Sequence, residues 1–264
     1  MYRVVLVDDE RIILEGLSRV VPWEKLGCRV CGTAGNGLEG LEIIRSQKPD
    51  ILITDIRMPN MDGLRMIAAL RSEFSRLQIT VLTAFRDFEY AQTALNLGVC
   101  RYLLKPSKMD ELNEAIHAMI ARLDAMPRRE ESEEAPASEE SADTSPAGNY
   151  IVQQALDFMR QNCAEHLSLG DVAAHVYVSP WHLSKLINRY ANQSFLDILG
   201  RMRVDKARAL LTDPGLRVHE VAERTGFSDV AHFSKSFKRI TGMTPGEYRD
   251  SLGGGKMTPG APKF

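Results

Sequence analysis

The chain has 264 residues, of which 44% are hydrophobic and 26% are charged, so its length and composition are ordinary for a globular protein of two domains. No apolar run approaches the roughly 20 residues of a transmembrane helix, and the first residues do not resemble a signal peptide, so we expect a cytoplasmic protein that enters no membrane. The formal net charge is −2. A charge this close to zero does not by itself indicate a nucleic-acid partner.

Residues 127–148 divide the chain into two halves. This segment carries seven acidic and two basic side chains, three prolines and no large apolar residue. It cannot bury enough surface to offset the entropy of ordering, so we predict a flexible acidic linker. The linker separates a first domain at residues 1–126 from a second at residues 149–250, and we expect a disordered tail at residues 251–264. The second domain holds 13 basic and 11 acidic side chains, which is only a weak indication of a nucleic-acid partner.

Apolar runs and amphipathic stretches alternate through the first domain. The runs are YRVVLVDD, CRVCGTA, DILITD, QITVLTA and CRYLLKP. Strands that are almost entirely apolar are buried on both faces, which predicts a parallel sheet covered by helices. The five units therefore predict a doubly wound α/β domain with a five-stranded parallel sheet. In such a sheet the working site lies beyond the carboxyl ends of the strands, near a switch in strand order.

The second apolar run contains a C-x-x-C pair, Cys28 and Cys31. Zinc takes about four ligands, and the sequence offers no second pair of this kind. Ordinary packing within a strand is therefore the favoured interpretation, and use as a metal or redox site is the alternative.

Polar side chains follow four of the predicted strands. Asp8 and Asp9 follow the first strand, Asp55 the third, Thr83 the fourth and Lys105 the fifth. Because the carboxyl ends of parallel strands meet at one edge of the sheet, we expect these groups to converge. Three carboxylates repel one another unless a hard cation lies among them, and Mg²⁺ prefers oxygen ligands. A carboxylate beside Mg²⁺, a lysine and a hydroxyl is placed to attack a phosphoryl group and form an acyl phosphate.

The stretches VLVDDE, ITDIRMPNMDG, LTAF and YLLKP together resemble the receiver domain of two-component response regulators, a flavodoxin-like domain, across residues 1–122. VPWEKLG at residues 21–27 is further similar to the YesN-like subgroup. Ala84 and Phe85 depart from that subgroup, which often has Gly and Tyr at these positions, and Arg101 stands where an acidic residue commonly precedes the tyrosine at position 102. The departures leave the acidic residues intact and concern only the surface beside the fourth and fifth strands.

The resemblance implies a role for each polar group at the strand ends. Asp55 would accept a phosphoryl group from a sensor histidine kinase, and Lys105 would contact that group. Thr83 and Tyr102 would form the switch pair that reorients on phosphorylation. Pro59 and Gly63 would shape the loop after the acceptor. The Mg²⁺ ligands would be Asp9, Asp55 and the backbone carbonyl of Arg57, with Asp8 acting through water.

The second domain is predicted to be helical throughout, and two of its stretches repeat. HLSK begins at His182 and HFSK begins at His232, and a Val-Ala pair recurs upstream of each. Each copy is predicted to be a short helix, a tight turn and a second helix. Leu183 and Phe233 are expected to point into the core, which leaves the neighbouring His, Ser and Lys side chains facing outward.

The two copies differ in their turns. Gly226 fits the turn of the second copy, and Tyr177 holds the same place in the first copy, where the backbone must manage without glycine. The interval between the copies rises from 49 to 50 residues, so the second copy has one extra residue between its turn and its second helix. Ser179 and Ser228 are expected to cap the second helices.

SPWHLSKLI, RMRVDKARALL and GFSDVAHFSKSFKRITGMTPGEYR resemble the AraC/XylS DNA-binding domain across residues 149–249. That domain carries two helix-turn-helix units joined by a long helix. The resemblance implies that the second helix of each unit enters a major groove, and successive grooves lie roughly 34 Å apart. The implied contacts are Trp181, His182, Ser184 and Lys185 in one groove, and Val230, Ala231, His232 and Lys235 in the next. Val230 and Ala231 can contact only thymine methyl groups or read shape, so specificity is expected to depend on the first unit.

Together these features predict a phosphorylation-controlled transcriptional regulator of a two-component system that binds double-stranded promoter DNA. The family resemblance further implies an activator, and we expect RNA polymerase to be a partner. We also expect a homodimer when the protein is phosphorylated, because the flexible linker cannot push a recognition helix directly. The receiver would catalyse only its own phosphoryl transfer and dephosphorylation. One alternative is a receiver-dependent enzyme or scaffold, in which the helical half binds protein rather than DNA. A stand-alone hydrolase that uses the acidic residues is disfavoured, because the sequence shows no signal of a substrate pocket.

Overall fold

The computed structural model describes residues 1–126 and 145–253. The chain divides into two compact units, Met1–Ile151 and Val152–Phe264. Most of the expected linker and of the expected tail lies outside the described residues.

The first helix after the expected linker begins earlier than the sequence predicts. It starts at Pro146, so the last three residues of the expected linker are helical. Proline suits the first position of a helix, where its missing N–H would have no partner. Ser145 stands just before it, and its Oγ accepts a hydrogen bond from the Gly148 amide at 3.3 Å. This local capping outweighs the polar composition that led to the linker prediction.

Five parallel strands form one sheet in the first unit, as predicted. In chain order they are β1 (Tyr2–Val7), β2 (Cys28–Ala34), β3 (Ile51–Thr54), β4 (Gln78–Thr83) and β5 (Arg101–Leu104). Across the sheet the order is β2-β1-β3-β4-β5, so the direction of winding switches between β1 and β3. β3 and β4 are buried along their whole length, whereas β5 lies at an edge and exposes Arg101.

Five helices cover the two faces of this sheet. In chain order they are α1 (Arg11–Val20), α2 (Gly37–Gln47), α3 (Gly63–Glu73), α4 (Phe88–Asn96) and α5 (Met109–Ala125). On one face, Leu6 of β1 packs in a buried cluster with Met119 of α5. Cys28 belongs to the same cluster, which confirms the packing interpretation for that cysteine. On the other face, a Cβ atom on Gly40 of α2 would lie 3.0 Å from the Val7 side chain, so α2 packs closely on β1.

Seven helices occupy the described residues 145–253. In chain order they are α6 (Pro146–Asn162), α7 (Leu169–His175), α8 (Pro180–Ala191), α9 (Phe195–Leu211), α10 (Val218–Arg224), α11 (Val230–Thr241) and α12 (Pro245–Gly253). The pairs α7–α8 and α10–α11 are the two predicted helix-turn-helix units, and the long α9 joins them. Leu183 and Phe233 have no exposed surface, as expected. Phe233 packs with Phe237, Phe227 and Val204 in the core of the second helix-turn-helix unit.

The two turns have the left-handed backbone conformation that the comparison of the two copies predicts. Tyr177 has φ 59° and Gly226 has φ 82°, both in the left-handed region. The extra residue of the second copy is also present, because α10 begins 49 residues after α7 and α11 begins 50 residues after α8.

The cap of α11 corrects one prediction. Ser179 caps α8 by accepting a hydrogen bond from the His182 amide at 3.2 Å, as expected. In α11 the cap is Asp229 rather than Ser228, and its carboxylate accepts a hydrogen bond from the His232 amide at 2.6 Å. A carboxylate is favoured at this position because it also interacts with the positive end of the helix dipole.

Candidate functional site

Three carboxylates meet at the switch point of the sheet. Asp8 and Asp9 follow β1, Asp55 follows β3, and one carboxylate oxygen from each lies within 4.8 Å of the others. Asp8 and Asp55 are buried, with 3% and 4% of their surface exposed, whereas Asp9 is exposed. This acid cluster of Asp8, Asp9 and Asp55 presents only oxygen donors, which is the ligand set that Mg²⁺ prefers. The residues therefore fit a divalent cation of this kind.

Lys105 supplies a positive charge to the acid cluster. Its Nζ atom lies 2.7 Å from Asp8 Oδ2, 2.9 Å from Asp55 Oδ2 and 3.0 Å from Glu10 Oε1. Burial lowers the pKa of Lys105, but hydrogen bonds to the three carboxylates outweigh burial and raise that pKa above its ordinary value. Burial also raises the pKa of Asp8, and the hydrogen bond from Lys105 opposes this. The sequence predicted that Lys105, Asp8 and Asp55 would converge, but it gave no role to Glu10.

Asp55 is held by backbone contacts on both sides. Its amide donates to the Val7 carbonyl at 2.9 Å, and its Oδ1 accepts from the Ile56 amide at 2.5 Å. The following loop folds back so closely that a Cβ atom on Gly63 would lie 2.1 Å from the Asp55 carbonyl oxygen. The Gly63 amide donates to the Ile56 carbonyl at 2.8 Å. Gly63 is therefore required by close approach, which agrees with the loop-shaping role that the resemblance implies for it.

Thr83 and Tyr102 both form hydrogen bonds with the backbone of Phe85. Thr83 is fully buried at the end of β4, and its Oγ1 accepts from the Phe85 amide at 3.4 Å. The Tyr102 hydroxyl donates to the Phe85 carbonyl at 2.9 Å. Burial, followed by the charge of Asp87, raises the pKa of Tyr102, so the hydroxyl keeps its proton and remains a donor. Two residues with an expected joint role are thus linked by hydrogen bonds, although their side chains do not bond each other directly.

The Arg57 side chain lies against the same connection. Its guanidinium carbon is 4.4 Å from the centroid of the Phe85 ring and 5.9 Å from that of Tyr90. Arg57 Nε also donates to the Tyr90 hydroxyl at 3.4 Å. The predicted Mg²⁺ ligand at Arg57 is its backbone carbonyl, and this aromatic contact of its side chain has no signal in the local sequence.

The first turns of α8 present a mixed aromatic and basic surface. Trp181 is 66% exposed, and Lys185 Nζ lies 5.1 Å from the centroid of its ring. Ser184 and Lys185 are half-buried. His182 is also half-buried, and its Nε2 atom has no contact with solvent. His182 is thus less accessible than the outward position that the sequence predicts.

On α11 the predicted contact residues all reach the surface. Val230 is 40% exposed, and Ala231, His232 and Lys235 are exposed as well. The His232 ring also meets the Phe227 ring edge-on, with 5.6 Å between the centroids.

Each exposed stripe extends further than the sequence prediction. Asn188 follows Trp181 and Lys185 at helical spacing on α8, and Lys238 follows Lys235 on α11. Both residues are exposed. The spacing of three and four residues was the signal that could have found them.

Comparison with known proteins matches each unit to a family. Residues 4–117 match the response regulator receiver domain, and residues 172–251 match a helix-turn-helix domain. An uncharacterized response regulatory protein of Staphylococcus epidermidis is 31% identical over 254 residues, which cover 94% of this chain and 98% of that relative. The transcriptional regulatory protein HptR of Staphylococcus aureus is 29% identical over 252 residues, with the same shares covered. The receiver domain of AraT, a response regulator from Geobacillus stearothermophilus, is 34% identical over 47% of this chain and 95% of that chain, with a TM-score of 0.45.

A receiver sheet with an acid cluster, followed by paired helix-turn-helix units, defines a two-component regulator of transcription. The chain belongs to the response regulator family, and its second unit contains a helix-turn-helix domain. Its domains imply a histidine kinase and DNA as partners. No helix within the described residues is long and apolar enough to span a membrane.

Proposed function

We propose that this regulator is switched by phosphorylation of Asp55 and that it then binds promoter DNA through α8 and α11. The observation that carries the proposal is the position of Lys105 Nζ, which lies within 3.0 Å of Asp8, Asp55 and Glu10 at the switch point of the sheet. The three carboxylates stabilise the charge of this partly buried lysine, and a cluster of charged groups at the switch point of a parallel sheet is typical of a functional site.

The geometry supports in-line attack by Asp55 on a phosphohistidine. A carboxylate oxygen of Asp55 forms the new bond to phosphorus, while the phosphorus–nitrogen bond breaks and the histidine nitrogen keeps the electron pair. The Ile56 amide and Lys105 hold the two oxygens of this carboxylate in place. Lys105 then stabilises the negative charge on the transferred group.

The acid cluster would hold Mg²⁺ together with the Arg57 carbonyl, and Asp8 would act through water. The cation would neutralise charge on the phosphoryl oxygens when bound. Dephosphorylation would be attack of water on the phosphorus of the same acyl phosphate, which breaks the bond to the Asp55 oxygen and releases inorganic phosphate and the free carboxylate. This chemistry is confined to the chain's own Asp55, so we assign no other substrate to it.

Thr83 and Tyr102 would carry the signal away from Asp55. When the Thr83 hydroxyl turns toward the phosphoryl group, the Phe85 amide loses its acceptor, and the connection between β4 and α4 rearranges. Tyr102 follows because its hydroxyl is bonded to the Phe85 carbonyl. A local charge change thereby biases an element with two arrangements.

At the DNA, α8 and α11 would enter successive major grooves on one face of the duplex, roughly 34 Å apart. The exposed Trp181 and its partner Lys185 offer base contacts in the first groove. Val230 and Ala231 offer only apolar contacts in the second groove. We also propose that the protein activates transcription, contacts RNA polymerase and forms a dimer.

The Asp55 assignment is tested by mass spectrometry of the intact protein. Acetyl phosphate with Mg²⁺ should add one phosphoryl group to the wild type and none to Asp55→Asn. The matched control is Asp62→Asn in the next loop, which should be modified like the wild type. A phosphoryl group on the Asp55→Asn protein would place the acceptor elsewhere.

DNA binding is tested separately by gel shift with the chain's own upstream region. A regulator should form a shifted complex with this duplex, and an excess of competitor DNA of random sequence should not displace the protein from it. A protein-binding scaffold would show only weak binding that is blind to sequence.

A further inference from the structure

The Arg203 side chain contacts both the segment before the first helix-turn-helix unit and the turn of the second. Arg203 lies in the middle of α9, and its Nε donates to the Cys163 carbonyl at 2.7 Å. Its Nη2 donates to the Glu165 carbonyl at 2.9 Å. Both carbonyls belong to the connection between α6 and α7, which leads into the first helix-turn-helix unit. The same guanidinium lies 5.7 Å from the centroid of the Phe227 ring, which belongs to the turn of the second helix-turn-helix unit.

The backbone of the second turn touches the same connection. A Cβ atom on Gly226 would lie 2.6 Å from the Ala164 carbonyl oxygen. Phe227 follows and is 7% exposed, with its ring 5.1 Å from that of Phe233 and edge-on to His232 at 5.6 Å. Contacts therefore run continuously from the α6–α7 connection through Arg203 and Phe227 to the start of α11.

A second link between α9 and α11 is weaker. Asp197 and Arg239 form an ion pair at 3.2 Å, but about half or more of each side chain is exposed. Exposed pairs of this kind contribute little, because water and salt screen them. Arg203 is half-buried and makes two charge-assisted hydrogen bonds to carbonyls, which are stronger and more directional.

We propose that Arg203 is a positioning residue for DNA recognition, which presets the spacing and angle between α8 and α11. Binding by the second helix is then intramolecular and already oriented, so DNA does not have to order the two units. The inference rests on the proposed binding to two successive grooves.

The test measures tolerance to altered spacing. The probe is a duplex selected from random 30-base-pair DNA by the full chain with Mg²⁺ and beryllofluoride, and a second duplex has one base pair inserted between the two footprints. The wild type should bind the inserted duplex roughly 100-fold more weakly, because both helices can no longer engage together. Arg203→Met should bind the parent duplex roughly tenfold more weakly but lose no more than about threefold on insertion.

Two further variants separate positioning from charge and folding. Arg201→Met removes the same charge from an exposed position of the same helix and should keep the wild-type ratio between the two duplexes. Arg203→Lys keeps the charge, but one ammonium cannot replace the planar fork at both carbonyls, so its ratio should be intermediate.

The outcomes are distinguishable. A folded Arg203→Met protein with the wild-type ratio would overturn the inference while leaving two-groove binding intact. If that variant does not fold, a wild-type ratio in Arg203→Lys overturns it equally. Two results with the wild type would refute two-groove binding itself and the inference with it. One is that it tolerates the insertion, and the other is that it protects only one segment of the DNA backbone from hydroxyl-radical cleavage.

Discussion

Lys105 brings one positive charge within hydrogen-bond distance of Asp8, Asp55 and Glu10. Its side chain is 10% exposed, so water screens these interactions less than it would at the surface. The balance of charge at the acid cluster therefore depends strongly on this residue. Phosphoryl transfer adds negative charge at the same place, which makes Lys105 the side chain whose loss should matter most after Asp55.

Replacement of Lys105 tests this balance. Lys105→Met should slow the uptake of a phosphoryl group from acetyl phosphate by roughly 100-fold, because a charge that stabilises the transferred group is lost. It should bind Mg²⁺ at least as tightly as the wild type, since the carboxylates lose a competing cation. The rate is followed by intact mass and Mg²⁺ binding by calorimetry. The exposed Lys108→Met is the control, and an equal loss of rate in both variants would show that only overall charge matters.

Among the helices and turns, the two helix-turn-helix units show how one backbone conformation is achieved with different residues. Tyr177 adopts a left-handed conformation with a full side chain, at a cost of about 1 kcal/mol. Gly226 adopts the same conformation, but its lack of a side chain also lets the second turn approach the Ala164 carbonyl. The glycine is thus required by packing as well as by its dihedral angle.

A pair of glycine substitutions separates these two requirements. Gly226 and Gly242 have φ of 82° and 83°, but only Gly226 has a neighbour where a Cβ atom would be placed. Gly242→Ala should lower the free energy of unfolding of the second unit by about 1 kcal/mol, the cost of backbone strain alone. Gly226→Ala should cost about 1 to 3 kcal/mol more, because of the clash. Scanning calorimetry measures both, and equal losses would mean that the turn relaxes freely.

In the whole molecule, the proposed switch and the proposed DNA contacts lie in separate units. Phosphorylation at Asp55 changes charge in the first, and DNA contacts belong to the second. Joining two chains couples such units without moving either recognition helix, because it makes the second DNA-binding event intramolecular.

Dimerisation is therefore expected to accompany phosphorylation. With Mg²⁺ and beryllofluoride the full chain should sediment as a dimer and bind a double site more tightly than the untreated chain, by roughly 100-fold. Binding should weaken steeply with salt in both states, because phosphate contacts supply much of the affinity. Asp55→Asn should stay monomeric under the same treatment. A treated wild type that remains a monomer yet binds a half-site much more tightly would favour release of inhibition within one chain.

Much of the fold and of the site was predictable from local sequence patterns. Fully apolar runs predicted the buried strands, and helical spacing placed Leu183 and Phe233 in the core. The convergence of Asp8, Asp9, Asp55 and Lys105 was predictable as well, because the carboxyl ends of parallel strands share one edge of the sheet.

The tertiary structure alone decided which distant groups come within bonding distance. Glu10 meets Lys105 across 95 positions, and Arg203 reaches the Cys163 carbonyl across 40 positions. Neither pairing has a local pattern, because a backbone carbonyl carries no sequence signature and a long side chain can reach many places. The half-burial of His182 likewise depends on what packs around its helix. Periodicity determines which face of an element is apolar, and only packing determines what that face and its margins touch.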